Sequence, residues 1–144
     1  MKRIAWIAAA VMVAGAGSAV WAQERYAYIG TSMFGSEVIG GGGADKEALG
    51  DFTAEMDLQK GRICYLLEVE GLDGMTAAHI HEGSKTKDGP PVVTLDISDS
   101  KGDDICQDAD PEVLKKIARN KKNYYVNVHS IGFPEGAIRG QLDQ

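Results

Sequence analysis

Between Asp51 and Leu58 the side chains change polarity at every step, with Phe52, Ala54, Met56 and Leu58 on one parity and Asp51, Thr53, Glu55 and Asp57 on the other. A period of two belongs to an extended strand with one buried and one wet face, and a helix cannot present it. The alternation resumes after Gln59-Lys60-Gly61 with Ile63, Tyr65, Leu67 and Val69, so the two runs predict a hairpin whose turn ends on Gly. The short apolar and aromatic run Tyr26–Phe34 and the runs 75–81, 91–97 (Val93, Leu95 and Ile97 inward), Tyr124–Ser130 and 137–142 read as further strands. One helix interrupts them. Asp110 caps it, Pro111 takes its first position, Glu112 sits in its first turn, and Lys115, Lys116 and Arg119 lie toward its negative end. Val113, Leu114 and Ile117 give it an apolar side to dock. Seven short strands, Gly/Pro turns and one short helix in a crossover predict an all-β fold, an antiparallel Greek-key β-sandwich.

The chain of 144 residues suffices for one core. Its start has the order of a secretory leader: Met1-Lys2-Arg3, an apolar run from Ile4 to Ala14, then small residues to Val20-Trp21-Ala22. The run is too short for a spanning helix. We therefore expect a signal peptide over 1–22, cleavage before Gln23, and a periplasmic or secreted domain over 23–144 without a membrane span. Loss of Lys2 and Arg3 takes the formal net charge from −6 to −8. An acidic chain has no positive surface to release counterions from a phosphate backbone, so no nucleic-acid partner is expected. In an oxidising compartment Cys64 and Cys106, the two cysteines of the chain, are expected to form a disulfide.

Two segments imitate ligand motifs and fail them. The Gly run at 40–43 has no Gly-Lys-Ser/Thr ending and no helix after it, so it reads as a linker and not as a phosphate cradle. The acidic stretch 96–110 has Lys101 where a calcium loop needs Gly and Gln107 where it needs Glu, and reads as a solvated loop.

The histidines carry more. His79 and His81 share one parity of their strand while Ala78 and Ile80 take the other, so the imidazoles point away from the core, close enough to hold one ion. In the last hairpin, Tyr124, Val126 and Val128 must face the core with Ile138, Gly140 and Leu142. That register sets His129 opposite Ala137 and Asn127 opposite Arg139 on the outer face. If the two strands are near neighbours, three neutral imidazoles converge, a donor set suited to copper or zinc. Glu82, Met75 and water are the candidates for a fourth ligand. Asn127, Arg139 and Glu82 are expected around the ligands, with Arg139 supplying positive charge for an anion. No Ser/His/Asp or Cys/His arrangement is present, and an enzyme is not the favoured reading.

The runs Ala78-His79-Ile80-His81-Glu82-Gly83, Gly89-Pro90-Pro91-Val92-Val93-Thr94-Leu95, Tyr125-Val126-Asn127-Val128-His129-Ser130 and Phe133-Pro134-Glu135-Gly136-Ala137-Ile138-Arg139-Gly140-Gln141-Leu142 resemble the chordin (CHRD) domain family. The resemblance spans essentially all of 23–144, with Ala137 where the family often has Glu. It implies a secreted β-rich module of the kind found in animal antagonists of bone morphogenetic proteins and in small exported bacterial proteins. The chain is also similar, more weakly, to copper,zinc superoxide dismutase, whose fold is of the superoxide dismutase/immunoglobulin-like type. There a His-x-His-Glu strand and a later Val-His strand bind copper on the outside of the barrel, and His79, His81 and His129 match those roles. A bridging histidine and further zinc ligands have no counterparts, so no zinc site is expected. Taken together, the residues predict an exported module that binds one copper ion for storage, delivery or protection. The alternatives are a metal-free interaction or adhesion module that docks another exported protein, and a copper-only dismutase-like enzyme.

Overall fold

The computed structural model describes residues 24–98 and 103–142, so the leader expected over 1–22 lies outside the described residues. Among the described residues there are eight strands: β1 (Tyr26–Phe34), β2 (Leu49–Asp57), β3 (Arg62–Glu70), β4 (Met75–Glu82), β5 (Pro91–Leu95), β6 (Ile105–Asp108), β7 (Tyr124–Ser130) and β8 (Ile138–Gln141). Helix α1 (Pro111–Arg119) lies between β6 and β7, followed by a 3-10 turn at Lys121–Asn123; a second 3-10 turn, Gly35–Glu37, follows β1. All strands join one antiparallel sheet in the order β5-β4-β7-β8-β1-β2-β3-β6.

The sheet curls until its end strands meet. Gln107 on β6 donates through Nε2 to the Thr94 carbonyl on β5 at 2.7 Å and accepts from the Asp96 N–H at 2.9 Å. The Tyr65 hydroxyl donates to the Asp96 carbonyl beside it at 2.7 Å. One side chain thus bridges two edges that would otherwise expose unpaired backbone. The inside holds the apolar parity of each run: Phe52, Met56, Ile63, Ala78, Ile80, Val126, Val128 and Ile138 are all fully buried. Helix α1 closes one opening of this core with Leu114 and Ile117, and the Asp110 carboxylate accepts from the Glu112 N–H at 2.8 Å, as its capping pattern predicts. The β2–β3 turn is tight enough to need Gly61 in the left-handed region, at φ +68°.

Two expectations need correction. The stretch 96–110 is not wholly a solvated loop, because Ile105–Asp108 forms an eighth strand on β3. Four residues flanked by aspartates give no periodic signal; the strand is held by the in-register Cys64–Cys106 disulfide and by the Gln107 bridge. The outer face of β4, β7 and β8 is also not open to water. The segment 83–89 folds back over part of it, leaving Arg139 1%, Tyr125 2% and His81 8% exposed, while Gly136 packs on Asn127, which is 7% exposed.

Candidate metal centre

Strands β4 and β7 are hydrogen-bonded neighbours, with Ala77 opposite His129, His79 opposite Asn127 and His81 opposite Tyr125. Parity does the rest. Since Ala78, Ile80, Val126 and Val128 fill the core, His79, His81 and His129 must rise from the other face. Their rings stand with centroids 5.1 Å apart for His79–His129, 5.5 Å for His79–His81 and 6.3 Å for His81–His129. One ring nitrogen from each lies within 4.8 Å of the others, so the cluster can hold a metal ion.

Which nitrogens face inward follows from hydrogen bonding. His81 Nδ1 is 2.8 Å from the Gly89 carbonyl oxygen and His129 Nδ1 is 2.9 Å from that of Pro134. A carbonyl only accepts, so each Nδ1 carries the proton and each neutral ring keeps its lone pair on Nε2. Those two Nε2 atoms and His79 Nδ1 are buried and have no hydrogen-bond partner. Three unpartnered ring nitrogens at one point, two of them lone pairs, are costly unless a cation receives them. Nitrogen–metal bonds of about 2.0–2.1 Å bring two donors no more than about 4.2 Å apart, so the cluster must contract slightly around an ion. His79 is the ring free to move, because its partners are fixed by backbone carbonyls and it is not. Burial lowers the pKa of His79, and the charges of His129 and His81 add to the effect; burial likewise lowers that of His81 against the opposing pull of the Gly89 carbonyl. Both rings are therefore held in the neutral form that binds metal.

The residues around the ligands behave differently from one another. Tyr125 stacks on His81 with centroids 4.8 Å apart and planes 12° from parallel, and the Arg139 guanidinium lies 3.9 Å from the same Tyr125 ring. Arg139 also donates to the carbonyls of Ser84 at 2.9 Å and Lys85 at 3.0 Å, while Gln141 donates to that of Gly83 at 2.9 Å. The guanidinium is thus buried and committed to the roof over the site, where sequence reasoning had it free to attract an anion. Asn127 packs against Gly136, where any Cβ would come within 2.7 Å of its amide nitrogen. Glu82 ends β4 on the parity opposite the histidines and is exposed, and Met75, beyond a bulge, packs against the core. Neither joins the cluster. The roles of Gly89, Pro134 and Tyr125 were missed from sequence, although all three stand in the runs that carry the family resemblance.

The model of the CHRD domain matches residues 31–142, from β1 through the last strand. The chain belongs to the CHRD domain family. Comparison with curated proteins and with solved structures gives no match. The matched span takes in all three histidines of this CHRD domain, the disulfide and the roofing segment. Among the described residues no helix is long and apolar enough to cross a membrane.

Proposed function

We propose that this CHRD domain is an exported copper-binding module in which His79, His81 and His129 hold a single ion for storage, delivery or protection. The observation that carries the reading is the convergence of three buried, unpartnered ring nitrogens, two of them fixed by carbonyl-bonded N–H groups. Such outer partners orient metal-binding imidazoles and raise their basicity. An all-imidazole set with no thiolate or carboxylate suits copper as it does zinc, and copper leads the divalent series in affinity. Three ligands leave a coordination position for exchange, which suits a carrier better than a closed structural zinc site. The leader-like start and the disulfide support export. A dismutase-like enzyme draws less support, since the arginine that would attract superoxide is buried and already bonded to carbonyls.

The test is a copper titration of the metal-free protein by calorimetry, with spin resonance of the loaded form. Wild type should bind one equivalent through nitrogen donors. His79→Ala, His81→Ala and His129→Ala should each weaken binding by about 10²-fold or more. If the triple variant binds copper as well as wild type, the metal reading fails and the domain is better read as a metal-free interaction module.

A further inference from the structure

A second concavity lies away from the histidines, where helix α1 passes the start of β1. It measures about 420 Å3 and is lined by Tyr26, Tyr28, Lys115, Arg119 and Lys121, and also by the acidic Glu24. That volume lies in the range of small-ligand sites. Its two tyrosines are more open than large aromatic side chains usually are: Tyr26 is 42% and Tyr28 62% exposed. They stand two residues apart on one strand, hence on the same face and about 7 Å from each other. Tyr28 is held in place, its hydroxyl donating to Glu55 Oε2 at 2.8 Å, so its ring is a fixed platform.

The opposite wall is cationic in a chain that is acidic overall. Lys115, Lys116, Arg119, Lys121 and Lys122 fall within eight residues that contain no carboxylate, although the chain carries a net charge of −6. Lys115 pairs with Glu112 at 2.7 Å, whereas Arg119 and Lys121 make no ion pair among the described residues. The helix dipole accounts for cations in the last turn of α1. It does not account for Lys121, beyond the helix end, or for two exposed tyrosines lining the same space, of which Tyr26 carries the Arg25 guanidinium 4.9 Å from its ring centroid. A simple inorganic anion would use the cations and gain nothing from the rings. A single-stranded polynucleotide would use both as well, so it is set against the sugar in the test. A ligand with flat, partly apolar rings and a few carboxylates uses both walls, and arginine pairs with a carboxylate through two parallel hydrogen bonds.

We propose that this cleft binds an acidic oligosaccharide, its uronate rings laid on Tyr26 and Tyr28 and its carboxylates paired with Arg119 and Lys121. The site is independent of the histidine cluster and can be tested on metal-free protein. A galacturonate hexamer is titrated into wild type by calorimetry, beside maltohexaose, inorganic phosphate and a short oligothymidylate. The hexamer should bind with an affinity that falls as salt rises, and the neutral sugar should bind at least tenfold more weakly. Tyr28→Ala and the double variant Arg119→Gln/Lys121→Gln alter exposed or half-buried positions; each should lower affinity about tenfold or more, while Lys60→Gln, outside the cleft, should not. No binding of the hexamer, or binding that Tyr28→Ala leaves intact, overturns the proposal. Equal or tighter binding of phosphate or oligothymidylate overturns it in favour of a phosphate ligand.

Discussion

Gly89→Ala should damage the histidine site without touching a ligand. A Cβ on Gly89 would overlap the Glu82 carbonyl oxygen and lie 3.0 Å from the Glu82 carbonyl carbon. Both obstacles are backbone, so no rotamer change relieves them, and the end of β4 must part from the segment that roofs it. Three interactions are strained together: Glu82 N–H to the Pro90 carbonyl at 3.1 Å, Gly89 N–H to the Tyr125 hydroxyl at 3.2 Å, and His81 Nδ1–H to the Gly89 carbonyl at 2.8 Å. Overpacking of this kind costs about 1–3 kcal/mol. Loss of one buried hydrogen bond adds about 1 kcal/mol. For a domain of this size a total near 3 kcal/mol lowers Tm by about 10 °C. Loss of the carbonyl that orients His81 should weaken copper binding by about 10–100-fold. Gly132→Ala is the control, because a Cβ there meets nothing within 4 Å. Thermal unfolding and copper titration of both variants decide the matter. A Gly89→Ala protein that melts within about 2 °C of wild type would refute the packing argument. One that melts early yet binds copper normally would show that the Gly89 carbonyl does not set the ligand.

Three other outcomes follow from the same structure. Replacing Cys64 and Cys106 together by Ser should lower stability by about 4 kcal/mol, since the bridge closes a separation of 42 residues; chemical denaturation with an unchanged midpoint would argue against that. Asp57 is held at a pKa of about 2, first by its hydrogen bond from Arg25, so its contribution is complete above about pH 4 and lost as pH falls through 2. Asp57→Asn should flatten acid unfolding over that window. His79 and His81 have lowered pKa values, so below about pH 6.5 the unfolded chain takes up protons before the native one does, and metal-free stability should fall as pH drops. A pH series of melts on wild type and His79→Gln/His81→Gln should show the smaller slope in the double variant.

Alternation placed β2 and β3, short apolar runs between Gly/Pro turns placed β1, β4, β5, β7 and β8, and the cap Asp110 with Pro111 placed α1. The same parity put His79, His81 and His129 on one side of the sheet, since Ala78, Ile80, Val126 and Val128 left them no other. What alternation could not do was say what lies over a face. Arg139 and His81 read as outward residues, and outward proved to mean beneath the segment 83–89, because the carbonyls that bind Arg139 come from a part of the chain more than 50 residues away. The four residues of β6 likewise become a strand only through partners on β3 and β5. The choice of ring nitrogen at the histidine cluster was decided last of all. A histidine has the same two nitrogens in any sequence, and only the backbone carbonyls of Gly89 and Pro134, brought there by folding, fix which one keeps its proton and which is left with a lone pair for a cation.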